Sequence, residues 1–329
     1  MSLRTSYIGL EVSSPIVVSA CSLSEQLDNL LLMEDNGAGA VVMFSLFEEQ
    51  IRLQEAKFKG VMTQTTNTFA EASDYFPDLE DFNVGVDEYL EHIRKAKQRL
   101  KIPVIGSLNG ITNEGWIDYA KSIQQAGADA LEINIFFIPG DFSLSTSEVE
   151  HRYLNIIDAV KNTVSIPVAV KLNPYFSSTG NMAHRMEKAG ANGLVLFNRF
   201  YQPDYDINEL VIKTDLHYSE SGEIRLPLLW IALLYGKLNA SLAATTGVQT
   251  AAEVAKYLLA GADVVMTASS LYKNGIPYLK TMTKDLQNWM NAMGFDDISS
   301  FRGHMSQQKI ADPTAYERAN YIKILEGVR

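Results

Sequence analysis

Lys171 is the residue of this sequence that most strongly suggests chemistry, because it stands near the end of the apolar run Val168–Leu172. Burying an ammonium group without a partner is costly, so either a ligand or a nearby acid such as Glu132 must pair with it. Asn134 and Asn198 also end apolar runs, where each could cap a loop or bind a ligand. No inward carboxylate is evident at these ends, so the three side chains together predict a hydrogen-bonding wall for a planar, polar heterocycle.

Two turns of small residues point to a second kind of chemistry. Thr245-Thr246-Gly247 closes one apolar run and leads to a helix at Thr250, and Ala268-Ser269-Ser270 closes another. Backbone N–H groups at the start of a helix are free to bind an anion. Ordinary capped turns are the alternative, but the occurrence of two such turns predicts a phosphate site.

A repeated motif supplies the elements that position these groups. A glycine turn leads four times into a short apolar strand, at Gly37, Gly127, Gly190 and Gly261. Glycine ends a helix readily in the left-handed conformation, so each repeat predicts a helix, a turn and a buried strand. The predicted strands are Pro15–Ala20, Ala40–Ser45, Pro103–Leu108, Leu131–Ile135, Val168–Leu172, Leu194–Asn198, Ser241–Thr245 and Asp263–Ala268.

Eight such units in series predict an α/β fold, a (β/α)8 TIM barrel that forms a single domain over residues 1–329. In these barrels the chemistry collects at the C-terminal ends of the strands, and phosphate binds after strands seven and eight. Two long connections, residues 46–102 and 199–238, each follow a strand and are therefore expected over that face. Ala20, Ser45 and Asn109 stand at the ends of the first three strands and are predicted to contact a cofactor.

The composition excludes several classes of partner. The net charge of −11 would repel nucleic acid or an anionic membrane, and no apolar run approaches the roughly 20 residues that cross a bilayer. The single Cys21 cannot form an intramolecular disulfide, and the scattered histidines predict no metal site. With no signal peptide at the start of the sequence, we expect a cytoplasmic protein that acts on a small molecule.

Several segments, in unbroken order from Thr5 to about Gly303, resemble the dihydroorotate dehydrogenase family. The segments are Thr5–Pro15, Pro103–Gly110, Leu131–Asn134, Val170–Phe176, Leu258–Asp263 and Phe301–Gly303. The resemblance implies an FMN-binding TIM barrel, and the start of the chain is similar to the class 1 enzymes, which are often homodimers.

The resemblance also implies roles for individual residues. Lys171 would contact the flavin, and Asn134 and Asn198 would bind the pyrimidine. The residues that would hold the phosphate are Thr246, Gly247, Ala268 and Ser269.

Three positions depart from the family pattern. Phe137 falls where class 1 enzymes carry the cysteine that removes a proton from dihydroorotate, Phe44 falls where strand two carries a lysine, and Thr246 replaces a glycine. Loss of a positioned base typically lowers a rate by about 10²–10⁴-fold. The flavin half of the site is therefore expected to be kept and the substrate half to be rebuilt.

The segment after Asn198 offers replacements for the missing groups. Arg199 could pair with a carboxylate or a phosphate, and Tyr201 could serve as acid or base if its pKa were lowered. Both could instead order the long loop. Lys171 and Tyr201 are therefore the candidate catalytic residues. The leading hypothesis is an FMN-dependent oxidoreductase that passes a hydride to or from a small planar or carboxylated substrate. The alternatives are a true dihydroorotate dehydrogenase with its base at Tyr201 or within Thr63–Thr68, a non-catalytic flavin- or phosphate-binding barrel, and a flavin-free lyase or isomerase.

Overall fold

The computed structural model describes residues 1–49, 85–110, 113–199, 203–213, 217–317, 322 and 325–327, apart from the side chains of residues 113–115. The strands in this part of the chain are β1 (Thr5–Tyr7), β2 (Leu10–Val12), β3 (Ile16–Val18), β4 (Val41–Val42), β5 (Leu46–Phe47), β6 (Val104–Gly110), β7 (Ala130–Ile135), β8 (Val168–Leu172), β9 (Gly193–Leu196), β10 (Asp204–Asp206), β11 (Val211–Lys213), β12 (Ser241–Ala244) and β13 (Val264–Thr267).

Eight parallel strands close a barrel in the order β3, β4, β6, β7, β8, β9, β12 and β13, which pairs again with β3. The predicted barrel is confirmed, and each of the eight predicted strands overlaps one barrel strand. Nearly all of these residues are buried, as expected for a parallel sheet covered on both faces. The short strand β5 pairs with the far end of β6.

The described helices follow the strands around the barrel. They are α1 (Leu27–Asp35), α2 (Val86–Arg99), α3 (Asn113–Gln125), α4 (Thr146–Lys161), α5 (Thr179–Lys188), α6 (Arg225–Leu234), α7 (Ala251–Ala260), α8 (Ser269–Asn274) and α9 (Tyr278–Met293). None of the helices in the described ranges is long and apolar enough to cross a bilayer.

Helix α4 shows how the local sequence sets a boundary. Sequence periodicity predicts a helix from Glu148 to Val164, whereas the helix begins at Thr146 and ends at Lys161. Its start is fixed by a capping box: the Ser145 hydroxyl accepts a hydrogen bond from the Glu148 N–H at 3.3 Å, and the Glu148 carboxylate accepts one from the Ser145 N–H at 2.7 Å.

The hairpin β1–β2 fills the N-terminal end of the barrel. Tyr7, Ile8 and Val12 are buried in one apolar cluster with inward residues of the barrel strands. The Ile8 N–H donates to the Ser241 hydroxyl at 2.9 Å, which ties the hairpin to the start of β12. The interior is therefore closed at this end, and the polar strand ends lie at the other.

The second long connection, residues 199–238, contains a hairpin and a helix. Strands β10 and β11 pair antiparallel, a 3-10 helix spans Ser221–Ile224, and α6 follows. The hairpin exposes apolar side chains, among them Ile207 and Leu210. The expected homodimer stays a prediction.

Candidate functional site

The polar side chains of the predicted wall meet at the C-terminal end of the barrel. Asn109, Asn134 and Lys171 lie in register on β6, β7 and β8, and Lys171 is in register with the inward-facing Val195. Because paired residues of parallel strands share a face, all three side chains point into the barrel. The Asn198 amide donates to the Asn134 side-chain oxygen at 2.8 Å, which joins the two asparagines.

Glu132 corrects the expectation that no carboxylate faces inward. It lies two residues before Asn134 and so on the same face of β7, and its Oε1 is 3.8 Å from Lys171 Nζ. The Glu132 side chain is 1% exposed and that of Lys171 is 12% exposed. Burial raises the pKa of the Glu132 carboxyl, and the Lys171 ammonium opposes that rise. Lys171 therefore has the acid partner that its burial demanded.

A cavity of about 510 Å³ opens beside Lys171. The lining residues come from the strand ends and the second long connection: Ser19, Ala20, Cys21, Phe136, Lys171, Phe197, Asn198, Arg199, His217, Tyr218, Ser219, Thr245, Thr246, Gly247, Val248, Met266, Thr267, Ala268, Ser269 and Tyr272. Within the described ranges, no group of three or more His, Cys, Asp or Glu side chains is placed to hold a metal ion. The predicted residues Ala20, Lys171, Asn198, Arg199, Thr246, Gly247, Ala268 and Ser269 thus share one cavity.

The two predicted phosphate turns converge on one oxygen atom. The Gly247 N–H donates to the Ser219 hydroxyl at 3.1 Å, and that hydroxyl lies 3.0 Å from the Ser269 hydroxyl. Thr246 has a positive φ of 76°, and its own hydroxyl donates to the Phe197 carbonyl at 3.1 Å. The Ser219 hydroxyl therefore contacts both turns: it accepts a hydrogen bond from the Gly247 N–H and lies within hydrogen-bond distance of the Ser269 hydroxyl.

Arg199 lines the cavity, but its guanidinium is already engaged. Its Nε donates to Glu223 Oε1 at 2.8 Å, and a second nitrogen donates to the His217 carbonyl. The ion pair is partly exposed and orders the second long connection, as one of the two interpretations of this residue expected. Its role in substrate binding stays a prediction.

Two of the three positions that depart from the family pattern, Phe44 and Phe137, do not line this cavity. Phe137 is covered by the Arg152 guanidinium, 4.0 Å from the ring centroid, whereas its neighbour Phe136 lines the cavity. Phe44 packs edge-on against Tyr89, with ring centroids 4.9 Å apart. Neither Phe44 nor Phe137 is among the lining residues.

Four other predicted residues stay untested by this geometry. The Ser45 hydroxyl lies 2.9 Å from that of Ser107, and none of Ser45, Asn109 and Asn134 lines the cavity described above. Tyr201 and the segment Thr63–Thr68, the candidate bases, lie outside the described residues.

Sequence reasoning missed the side chains that the second long connection brings to the cavity. Tyr218 stacks on Tyr272 of α8 with ring centroids 5.1 Å apart, and His217 and Ser219 lie on either side of Tyr218 in the chain. Tyr272 carried a weak signal, since it lies one helical turn after Ser269. The other three carried none, because nothing local in the sequence indicates where a long loop folds back.

The chain is similar to known proteins along most of its length. Residues 81–290 match the sequence model of the family described as dihydroorotate dehydrogenase. The catalytic subunit of dihydroorotate dehydrogenase B (NAD(+)) from Thermoplasma acidophilum is 26% identical over 92% of this chain and 98% of its own length. Its counterpart from Methanocaldococcus jannaschii is 25% identical over 88% of this chain and 93% of its own, and a putative dihydroorotate dehydrogenase A (fumarate) from Aeropyrum pernix is 24% identical over 92% and 97%.

Proposed function

From the premise that this chain belongs to the dihydroorotate dehydrogenase family of oxidoreductases, we propose that it binds FMN and acts on a CH–CH bond of a small planar or carboxylated substrate. The observation that carries the proposal is the shared cavity. Its lining joins an inward lysine to two small-residue turns, which are the two kinds of donor that a flavin nucleotide requires.

The residues present fit the phosphate end of FMN. The Ser219 hydroxyl oxygen already accepts from the Gly247 N–H and lies 3.0 Å from the Ser269 hydroxyl, so an oxygen atom is accommodated there. A Cβ on Gly247 would stand 2.7 Å from Ile224 Cγ2 and 2.9 Å from the Glu220 carbonyl. The close approach of backbone to this position therefore depends on glycine.

Lys171 and the asparagine pair would serve the other end. The Lys171 ammonium would hold the carbonyl edge of the flavin's pyrimidine ring, and the Asn198 amide, which lines the cavity, would orient the substrate. Asn134 accepts the hydrogen bond of that amide and would fix its direction. Bound FMN would supply the hydride chemistry. Besides Lys171, the described lining residues whose side chains could move a proton include Cys21, His217, Tyr218 and Tyr272. Burial raises the pKa of the Cys21 thiol, which disfavours its thiolate.

The visible absorption spectrum of the protein purified without added cofactor tests this proposal. Flavin bands are expected, and acid-released cofactor should be FMN. Anaerobic addition of candidate donors would then identify the substrate by bleaching of those bands. A colourless protein that also fails to bind added FMN would contradict the proposal.

Dihydroorotate is the first substrate to test, because the similar curated proteins are named for it. We propose that the base, if dihydroorotate is used, lies elsewhere than position 137. The ring of Phe137 packs under Arg152 and does not line the cavity.

Phe137→Cys is therefore expected to leave the rate of flavin reduction by dihydroorotate unchanged, since a thiol under Arg152 cannot reach a substrate in the cavity. Stopped-flow bleaching of the flavin measures this rate in the variant and in the wild type. Phe136→Cys is the matched control, because it places the same thiol on the cavity wall. A gain of about 10²–10⁴-fold in Phe137→Cys would show that position 137 does face the substrate.

A further inference from the structure

Glu132 is a buried acid that pairs with Lys171 but has no role in the proposed chemistry so far. It lies on the inner face of β7, in register with Ser107 on β6 and Ala169 on β8. Both of its carboxyl oxygens are fully buried, and no donor in the described part of the chain hydrogen-bonds to either. A carboxylate in such a place is normally paired or protonated.

Three titratable side chains face Glu132 from the surrounding elements. Lys171 on β8 contributes the ammonium at 3.8 Å. Tyr7 of the hairpin and Tyr89 of α2 are both fully buried, and burial first and the Glu132 charge second raise the pKa of each hydroxyl. Tyr89 is bound to the Ser107 backbone, and the Tyr7 hydroxyl has no partner among the described residues. In the cluster formed by Glu132, Lys171, Tyr7 and Tyr89, Lys171 is thus the cation.

The same ammonium also lines the cavity where FMN would bind. With FMN bound, this one cation would therefore serve two groups, the Glu132 carboxylate and the flavin. Reduction by a hydride donor adds negative charge to the flavin. That charge competes with Glu132 for Lys171 and raises the pKa of a carboxyl that burial already raises. Lys171 is the one positive charge beside Glu132 among the described residues, and a carboxylate that loses its share of that charge takes up a proton.

We propose that Glu132 is a positioning residue that acts through Lys171 and stores one proton when the flavin is reduced; this inference rests on the proposed function. A two-electron donor loses a hydride to the flavin and releases a proton to solvent. Glu132 takes one proton from solvent, so charge and atoms balance. On reoxidation, the hydride leaves to the acceptor and Glu132 returns its proton.

The pH dependence of the flavin's reduction potential tests this inference. FMN-loaded wild type and Glu132→Gln are titrated anaerobically with dithionite at a series of pH values. Each proton taken up with two electrons adds about 30 mV per pH unit to the slope, since a tenfold change in equilibrium constant corresponds to 29.6 mV. The effect is expected in the pH range between the pKa of Glu132 with oxidised flavin and its pKa with reduced flavin. In that range the reduction potential of wild type should fall about 30 mV per pH unit more steeply than that of Glu132→Gln.

Asp129→Asn is the matched control. Asp129 precedes β7 at the other end of the barrel and forms a 2.6 Å ion pair with Lys97, so it is also a carboxylate held by a lysine. This variant should keep the wild-type slope. A loss of slope in Asp129→Asn as well would mean that the effect is not specific to Glu132, and would overturn the inference.

A second measurement needs no variant. The infrared difference spectrum between oxidised and reduced wild type should gain the C=O stretch of a protonated, buried carboxyl group, and Glu132→Gln should lack it. Equal slopes in wild type and Glu132→Gln, or no such band in wild type, would overturn the inference while leaving FMN binding intact. A protein that binds no FMN would overturn the proposed function and this inference with it.

Discussion

Lys171→Ala is expected to slow reduction of the bound flavin by about 10²–10³-fold, the loss typical when one preorganised donor is removed from developing negative charge. The Lys171 side chain is 12% exposed, so the proposed interaction with FMN would be poorly screened by water. The effect is measured at saturating FMN as the stopped-flow rate of flavin reduction by dithionite and by dihydroorotate.

The control for this variant is Lys97→Ala. Lys97 is also paired with a carboxylate, that of Asp129, but at the closed end of the barrel. It should reduce at the wild-type rate. If FMN-loaded Lys171→Ala also reduces at that rate, Lys171 does not contact the flavin and the assignment of the cavity is wrong.

Lys171→Ala should also change how the stability of the fold depends on pH. Without the Lys171 ammonium, nothing in the described cluster opposes the burial that raises the pKa of Glu132. A carboxyl whose folded-state pKa is raised stabilises the fold at low pH, and that stability is lost as the pH rises through the raised value. The melting temperature of Lys171→Ala should therefore fall increasingly below that of wild type from acidic to neutral pH. A difference that stays constant with pH would contradict this result.

Gly247→Ala is expected to weaken both the fold and FMN binding. The residue has a φ of 75°, and its Cβ would stand 2.7 Å from Ile224 Cγ2, 2.9 Å from the Glu220 carbonyl and 3.0 Å from the Ile224 nitrogen. The left-handed conformation costs alanine about 1–2 kcal/mol. Crowding against backbone atoms that cannot rotate away adds about 1–3 kcal/mol, and the movement that relieves it displaces a turn proposed to hold the phosphate.

Gly294 offers a control with the same backbone. Its φ is 76°, and a Cβ there would meet nothing within 4 Å. Gly294→Ala should lose only the conformational share of the free energy of unfolding and should keep wild-type affinity for FMN. Urea unfolding and FMN titration measure the two quantities. Equal losses in both variants would mean that the turn yields without strain and that glycine is not required at position 247.

The sequence predicted the barrel well because its signals are local. Each barrel strand is an apolar run, and four of them follow a glycine turn; neither signal depends on what the strand packs against. The side chains that end these runs were also found, since a polar residue after an apolar run is visible in the sequence alone. Lys171, Asn134 and Asn198 were identified in this way.

What the sequence did not reveal depends on contacts between distant segments. Glu132 was considered as a partner for Lys171, but its position on the inner face follows from register with β6 and β8, which is a property of the assembled sheet. Ser219 reaches Gly247 and Ser269 only because the second long connection folds back over the strand ends. Likewise, the place of Phe137 outside the cavity follows from Arg152 on a neighbouring helix.

The Ser219 hydroxyl also affects how the newly made chain folds. Before any phosphate arrives, it accepts the Gly247 N–H and lies within hydrogen-bond distance of the Ser269 hydroxyl, so these groups are not left without a partner when the turns close. Closing of these turns therefore does not require the proposed phosphate. If FMN binds as proposed, its phosphate would replace the Ser219 oxygen at the Gly247 N–H, so that loading would exchange one oxygen acceptor for another.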